Sequence, residues 1–199
     1  MQTAAALLHG DRIEMRVELG EDARLEITDI AAMVAHDGRG GTHATLQTTA
    51  RLAPGAVFVW DAKPLVLCAG CSVRRTIALE LAAGATALLR DTIVLGRPGQ
   101  QVGILKTRTT VRCAGVALHH ETLDTSDTDV LRSPAVLHDR RVLDSVAIYG
   151  TRCHGPGVMQ LDGPGSILVI PASEAADAGA IATTTFKDWQ PDAQAGPMR

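Results

Sequence analysis

Aromatic residues are scarce in this chain: two Trp, two Phe and one Tyr among 199 residues. A surface that stacks single-stranded nucleic acid needs several aromatic faces, so that class is excluded. Clusters of positive charge are missing too. No basic run exceeds Arg74-Arg75 or Arg140-Arg141, and the net charge is −3, which argues against a nucleic-acid or anionic-membrane surface. No apolar run approaches the roughly 18 residues needed to cross a bilayer. Met1–Leu8 has neither the basic start nor the apolar length of a secretory signal. Four cysteines, at 68, 71, 113 and 153, are therefore expected as reduced thiols of a cytoplasmic protein.

Catalytic signatures are absent as well. The chain holds no nucleophile elbow, no His-Glu-x-x-His and no dinucleotide fingerprint. His36–Thr42 is glycine-rich but lacks the Gly-Lys-Ser/Thr ending of a phosphate loop and opens no helix. The expectation is a protein that is not an enzyme.

What the chain does have is repetition. Hydrophobic residues make up 46%, enough for one domain with a core of Val, Ile, Leu and Ala. Ile13–Asp29, Leu46–Asp61 and Thr76–Asp91 follow one pattern: an alternating strand ending in Leu, a short Gly-containing turn, an Ala, a second apolar strand and an Asp. The Ala recurs at 23, 56 and 85, at spacings of 33 and 29 residues. Units of this size bury their faces only against neighbouring copies. Arg12–Leu19 is the clearest strand, with Ile13, Met15, Val17 and Leu19 alternating with Arg12, Glu14, Arg16 and Glu18. The pattern predicts mainly β structure: stacked β-hairpin repeats in a β-helix-like, layered-sheet architecture. About a dozen strands and one or two short helices are expected.

Further along, Val57–Trp60 is apolar on both sides and reads as an interior strand. Lys106–Cys113 and Val116–Leu123 read as a hairpin around Ala114-Gly115. Ser133-Pro134 has the chemistry of a helix start leading to about Arg140, and Pro171–Ala182 is the strongest helix candidate. Val142–Tyr149 and Ser166–Ile170 are predicted strands. Residues 1–186 form one domain, and 187–199, polar with two prolines, read as a flexible tail.

Three sets of residues bear on function. Cys68-Ala69-Gly70-Cys71 has the spacing of zinc and redox turns, although Cys68 and Cys71 also fit as small residues bordering a β turn. Adjacent His119 and His120 point to opposite faces of a strand and cannot share an ion. Asp29, Asp61 and Asp91 end equivalent strands. They can line a wet path for a divalent ion or cap their own turns. Asp61, Asp91, Cys68 and Cys71 are the metal candidates.

Gly10-Asp11-Arg12-Ile13 opening the first strand, the turns Leu52–Ala56 (with Gly55) and Leu81–Ala85 (with Gly84), and Leu95-Gly96-Arg97 occur in that order. With Ser133–Gly150 and Gly163–Pro171, they resemble the UreD (UreH) family of urease accessory proteins over nearly the whole chain. The sequence departs from the family in three places. Only eight residues precede His9, His9 stands where Gly is common, and Gln100 and Gln101 stand where the family carries Glu. A short N-terminus leaves a sheet edge unpaired. The resemblance implies a non-catalytic chaperone with no tightly bound cofactor. It would bind a UreF-type protein, which recruits a UreG-type GTPase, and together they would dock on apo-urease for nickel insertion. An internal, water-filled route with transient nickel contact is also implied. Two other readings stand beside it. A Cys/His metal-dependent enzyme would need three ligands converging within about 2–2.3 Å of one ion. A generic β-repeat interaction module would call for an export signal and an exposed aromatic face.

Overall fold

The computed structural model describes residues 6–38, 40–96, 99–134 and 136–195. The alternating segments fold as strands. The first coil consists of Ala6–Leu7 (β1), Arg12–Leu19 (β2), Arg24–Thr28 (β3) and Met33–Ala35 (β4). The second repeats it as Ala44–Leu52 (β5), Val57–Asp61 (β6) and Leu65–Leu67 (β7). In the third, Ser72–Leu81 (β8) is followed by one long strand, Thr86–Val94 (β9), which pairs with both β6 and β7. Ile104–Cys113 (β10) and Val116–Asp124 (β11) follow, then Thr128–Arg132 (α1), Val142–Tyr149 (β12), Met159–Gln160 (β13), Gly165–Ala172 (β14) and Ala175–Ala195 (α2).

The fold is mainly β with stacked coils, but the three repeats are not hairpins. β2 pairs in parallel with β5, β5 with β8 and β8 with β10. Likewise β3 pairs with β6, and β6 with β9. Each repeat is an arch whose two strands lie in different sheets. The turns explain this. Their backbone bonds run to neighbouring coils, as in Asp22 N–H to Pro54 C=O (3.0 Å), Ala53 N–H to Leu19 C=O (3.0 Å) and Ala82 N–H to Leu52 C=O (2.9 Å). Asp22, Gly55 and Gly84 stack with φ of 54°, 72° and 77°. The left-handed position of the first turn therefore belongs to Asp22 rather than Gly20, and Asp tolerates it better than most residues.

The result is three layers. Five strands in the order β11-β10-β8-β5-β2 form one sheet with a solvent-facing outer side. That side carries the cross-strand row Glu18, Arg51, Glu80 and Arg112 in register. Arg51–Glu80 (3.5 Å) is mostly exposed and contributes little. The nine-stranded second sheet is covered inside by the first and outside by α2. This accounts for β6 being apolar on both faces, with Val57 and Val59 under the helix and Phe58 in the inter-sheet core. The hairpin β10–β11 forms as expected, turning on Ala114 and Gly115 at φ 49° and 79°.

Two helix expectations change. The short helix precedes Ser133 instead of following it. Asp127 caps it, with Oδ1 accepting from Asp129 N–H and Val130 N–H at 3.1 Å, and Ser133 closes its C-terminal end. The second helix starts at Ala175 and continues to Ala195, well past 186. Ala178, Ala182, Phe186, Trp189 and Ala193 form its buried face. Alanines at 178 and 182 let the helix approach the sheet closely, and Trp189 extends the contact. The backbone from 187 to 195 is thus docked helix and not a tail.

Candidate functional site: a polar layer between the sheets

Inward-facing residues of both sheets form two apolar clusters. One lies near the arch turns around Leu52, Phe58, Leu79 and Leu81, the other around Leu67, Val73, Ile93 and Leu105. Between them runs a polar layer. Strand register places Arg75 beside Thr107, and Thr48 in one row with Thr109 and Glu121. From the facing sheet come Asp91 and its cross-strand neighbour Ser145. Arg75 spans the gap. Its Nη1 and Nη2 donate to Asp91 Oδ1 and Oδ2 at 2.7 and 2.6 Å, and its Nε donates to Thr107 Oγ1 at 3.0 Å. A bidentate pair of this kind fixes both side chains in one geometry.

At the first-coil end the layer widens into a cavity of about 140 Å³, lined by Asp29, Lys63, Thr48, Trp60, Arg75 and Asp91 among others. Asp29 Oδ2 accepts from Lys63 N–H at 3.3 Å. At the far end Tyr149 OH meets His119 Nδ1 at 2.9 Å, with the rings stacked 5.8 Å apart. His119 Nε2 lies 3.9 Å from the exposed Glu121.

The aspartates do not form the expected row. Asp61 pairs in register with Thr28 and Arg90, and it faces the helix side of the sheet. There its Oδ2 accepts from Lys63 Nζ at 2.9 Å, and its Oδ1 lies 3.8 Å from Arg90 Nη1. Arg90 in turn clasps the fully buried Asp144 beneath α2. The counterpart of Asp29 and Asp91 in the second coil is Ala62. The polar layer therefore holds two of the three carboxylates, and Asp61 belongs to a separate ionic network.

Cys68 and Cys71 close a turn, with Cys71 N–H donating to Cys68 C=O at 3.2 Å and Gly70 at φ 77°. Burial, with Cys68 and Asp37 adding, pushes the Cys71 thiol up to about 11. It stays protonated and is a poor nucleophile or ligand at neutral pH. Cys113 and Cys153 lie elsewhere. Burial, with Asp192 adding, raises Cys153 to about 12. Among the described residues, no three His, Cys, Asp or Glu side chains gather closely enough to hold a metal ion. Gly10 and Asp11 make the turn before β2, where Asp11 Oδ2 accepts from Leu8 N–H at 2.8 Å. Gly55 and Gly84 sit in the arch turns and Gly96 in the turn after β9, at φ 66°. Arg97 lies outside the described residues. Periodicity alone did not reveal Arg75, Thr48 or Thr107. The available signal was that each is polar where its strand's alternation calls for an apolar residue.

Burial lowers the pKa of His119 from 6.5, with His120 adding and Glu121 opposing, so folding disfavours the charged imidazole. The unfolded chain binds the extra proton first. Stability from this group is therefore complete above about pH 6.5 and is lost as pH falls from there toward the folded value. Denaturation of wild type and His119→Gln between pH 7.5 and 5.5 is expected to give a steeper acid loss for wild type. Parallel curves would assign that loss to other groups.

The family model described as "UreD urease accessory protein" matches residues 1–186. The chain belongs to the UreD urease accessory protein family. Urease accessory protein UreD 1 of Streptomyces griseus is 38% identical over 191 residues, covering 94% of this chain and 74% of the relative. UreD 2 of Saccharopolyspora erythraea is 34% identical over 146 residues, covering 72% and 51%. UreD of Frankia alni is 29% identical over 199 residues, covering 86% and 67%. The aligned part thus spans between half and three quarters of these UreD relatives. No helix among the described residues is long and apolar enough to cross a membrane.

Proposed function

We propose that this chain is a non-catalytic cytoplasmic scaffold for urease maturation. It holds a UreF-type protein and, through it, a UreG-type GTPase on apo-urease while nickel is inserted. Membership of an accessory-protein family supports the role. The observation that carries the nickel part is the polar layer between two apolar clusters, in which Asp29, Thr48 and Ser145 offer oxygen atoms beside Asp91 and Thr107, which Arg75 holds in place. Scattered hard donors bind a divalent ion weakly, and passage requires binding that is easily reversed. Nickel is cargo in this reading, and no tightly bound cofactor is part of it.

Two experiments test it. Tagged chain, co-expressed with the urease subunits and accessory proteins of its source, is expected to retain the UreF-type protein or apo-urease. A folded chain that retains neither defeats the scaffold reading. Replacing the ion pair by Arg75→Leu with Asp91→Leu exchanges charge for apolar volume, a change expected to alter stability by about 2 kcal/mol or less. The same double variant is expected to cut urease activation at least about tenfold while still assembling the complex. Full activation by the assembled double variant would end the nickel-route proposal and leave the scaffold role standing.

A further inference from the structure

The outer face of the five-stranded sheet gathers cations that lie far apart in the sequence. Strand register sets Arg12, Arg74 and Lys106 in one row with Thr45 and Asp124. The next row holds Glu14 and Arg108, and the one after it Arg16 with Thr49, Ala78 and Thr110. With the row Glu18, Arg51, Glu80 and Arg112, the face carries seven cations against four carboxylates. It is thus formally positive on a chain whose net charge is −3. Arg16–Glu14 at 2.7 Å, Arg51–Glu80 at 3.5 Å and Lys106–Asp124 at 2.8 Å occupy three of the cations. Among the described residues, Arg12, Arg74 and Arg108 have no carboxylate partner. Arg74 and Arg75 adjoin in sequence but serve opposite faces, Arg75 turning inward to Asp91.

This arrangement works against the sheet that carries it. Arg74 stands directly opposite Lys106, and Arg108 follows two residues later on the same side. Like charges placed opposite each other destabilise a sheet. Strands β8 and β10 are each paired on both sides, so these cations do not serve to protect an edge. We propose that the face docks an acidic protein surface, whose carboxylates answer Arg12, Arg74 and Arg108. Arg12 and Arg74 stand two strands apart, about 10 Å, which sets the spacing of the carboxylates that fit. Thr49, Ala78 and Thr110 are short, so a flat partner can approach between the charged rows. A nucleic acid fits less well. Glu14, Glu18 and Glu80 interrupt the cations and oppose phosphates, and all five aromatic residues stand on β6, β12 and α2 rather than here. Mixed charge with a local excess of one sign is the pattern that fixes partner and orientation between proteins. That the acidic surface belongs to a urease subunit or accessory protein rests on the scaffold role proposed above.

Retention of the full chain on immobilised poly-L-glutamate at neutral pH tests this. A chain of net charge −3 and pI about 6.1 flows through such a column unless one face carries local positive charge. Wild type is expected to bind at about 0.05 M salt and to elute by about 0.5 M, where screening shortens the reach of the charges. Arg74→Glu with Arg108→Glu is expected to weaken binding at least about 100-fold. Arg132→Glu with Lys187→Glu changes the net charge equally at exposed sites off this face. It is expected to bind within about threefold of wild type. Reversing Arg74 removes its opposition to Lys106, so the first variant is expected to melt no lower than wild type, which separates lost docking from lost folding. Arg74→Gln with Arg108→Gln adds no carboxylate and is expected to lose about tenfold. Wild type that flows through, or that binds no more tightly than the first variant, overturns the proposal. So does wild type that binds duplex DNA more tightly than polyglutamate, which would assign the face to nucleic acid. In the co-expression pull-down, a first variant that retains every protein wild type retains overturns the docking role and leaves the scaffold role standing. Wild type that binds polyglutamate yet retains none of those proteins defeats the scaffold role alone.

Discussion

Arg90→Leu is expected to cost about 3–5 kcal/mol of stability, because it leaves a buried carboxylate without its cation. Asp144 has no exposed side-chain surface. Its oxygens accept from Arg90 Nε at 3.3 Å, Arg90 Nη2 at 2.8 Å and Thr92 Oγ1 at 2.9 Å. Without Arg90 only the Thr92 bond remains among these. Arg90 also ties α2 to the sheet, with Nη1 donating to Thr183 Oγ1 at 2.9 Å and Nη2 reaching Gly179 C=O at 3.5 Å. A Cβ at position 179 would lie 3.6 Å from Arg90 Nη2, an ordinary van der Waals distance, so the guanidinium does not itself require glycine there. At roughly 2–4 °C per kcal/mol for a chain of this size, the melting temperature is expected to fall by about 10 °C or more. Adding Asp144→Leu removes the stranded charge and is expected to recover most of the loss. A single variant melting within 2 °C of wild type would show that the pair adds little beyond what apolar packing supplies.

Much of the architecture could be read from the chain, and what could not has identifiable causes. Alternation located β2, β5, β8 and β12 because half-buried strands repeat every two residues. It could not say whether a strand pairs with its successor or with the strand a whole coil away, and arches were read as hairpins for that reason. The deciding signal was the doubly apolar Val57–Trp60, since a strand covered on both faces needs a third layer. The aspartate row failed through a shift of one. Aligning like residue with like set Asp61 beside Asp29, whereas the alanine spacings of 33 and 29 lead from Asp29 to Ala62 and on to Asp91. In a strand a shift of one reverses the face, and Asp61 accordingly belongs to the Arg90 network. The polar layer was hidden for a related reason. Arg75 on an inward position looks like an interruption until the Asp91 opposite it is known, and that pairing depends on two sheets meeting.

Ending the chain at Phe186 is expected to cost about 3–5 kcal/mol, comparable to truncating a large buried aromatic residue. The family match stops at 186, and the following residues are polar and contain Pro191, which removes one helical N–H. Even so, Trp189 is only 4% exposed and Ala193 is fully buried against the cluster formed by Val57, Val59, Leu88 and Ile148. Cys153 Sγ donates to Asp192 Oδ2 at 3.3 Å, joining the last turns of α2 to the loop after β12. Removing 187–199 would uncover the apolar patch of Val57, Val59, Leu88 and Ile148 on the outer face of the second sheet and would release the bond from Gln190 Nε2 to Glu26 Oε1 at 3.1 Å. Trp189→Ala alone is expected to reproduce most of the loss, because the tryptophan supplies most of the buried apolar area in that segment. Urea denaturation of the three chains separates the alternatives. Equal midpoints would mean that the helix ends functionally at 186. A loss in the truncated chain without a loss in Trp189→Ala would place the stabilisation in the backbone and Asp192 instead. The expected result, a matching loss in both, makes residues beyond the family match part of the core that holds the inner sheet, and with it Asp91, in place.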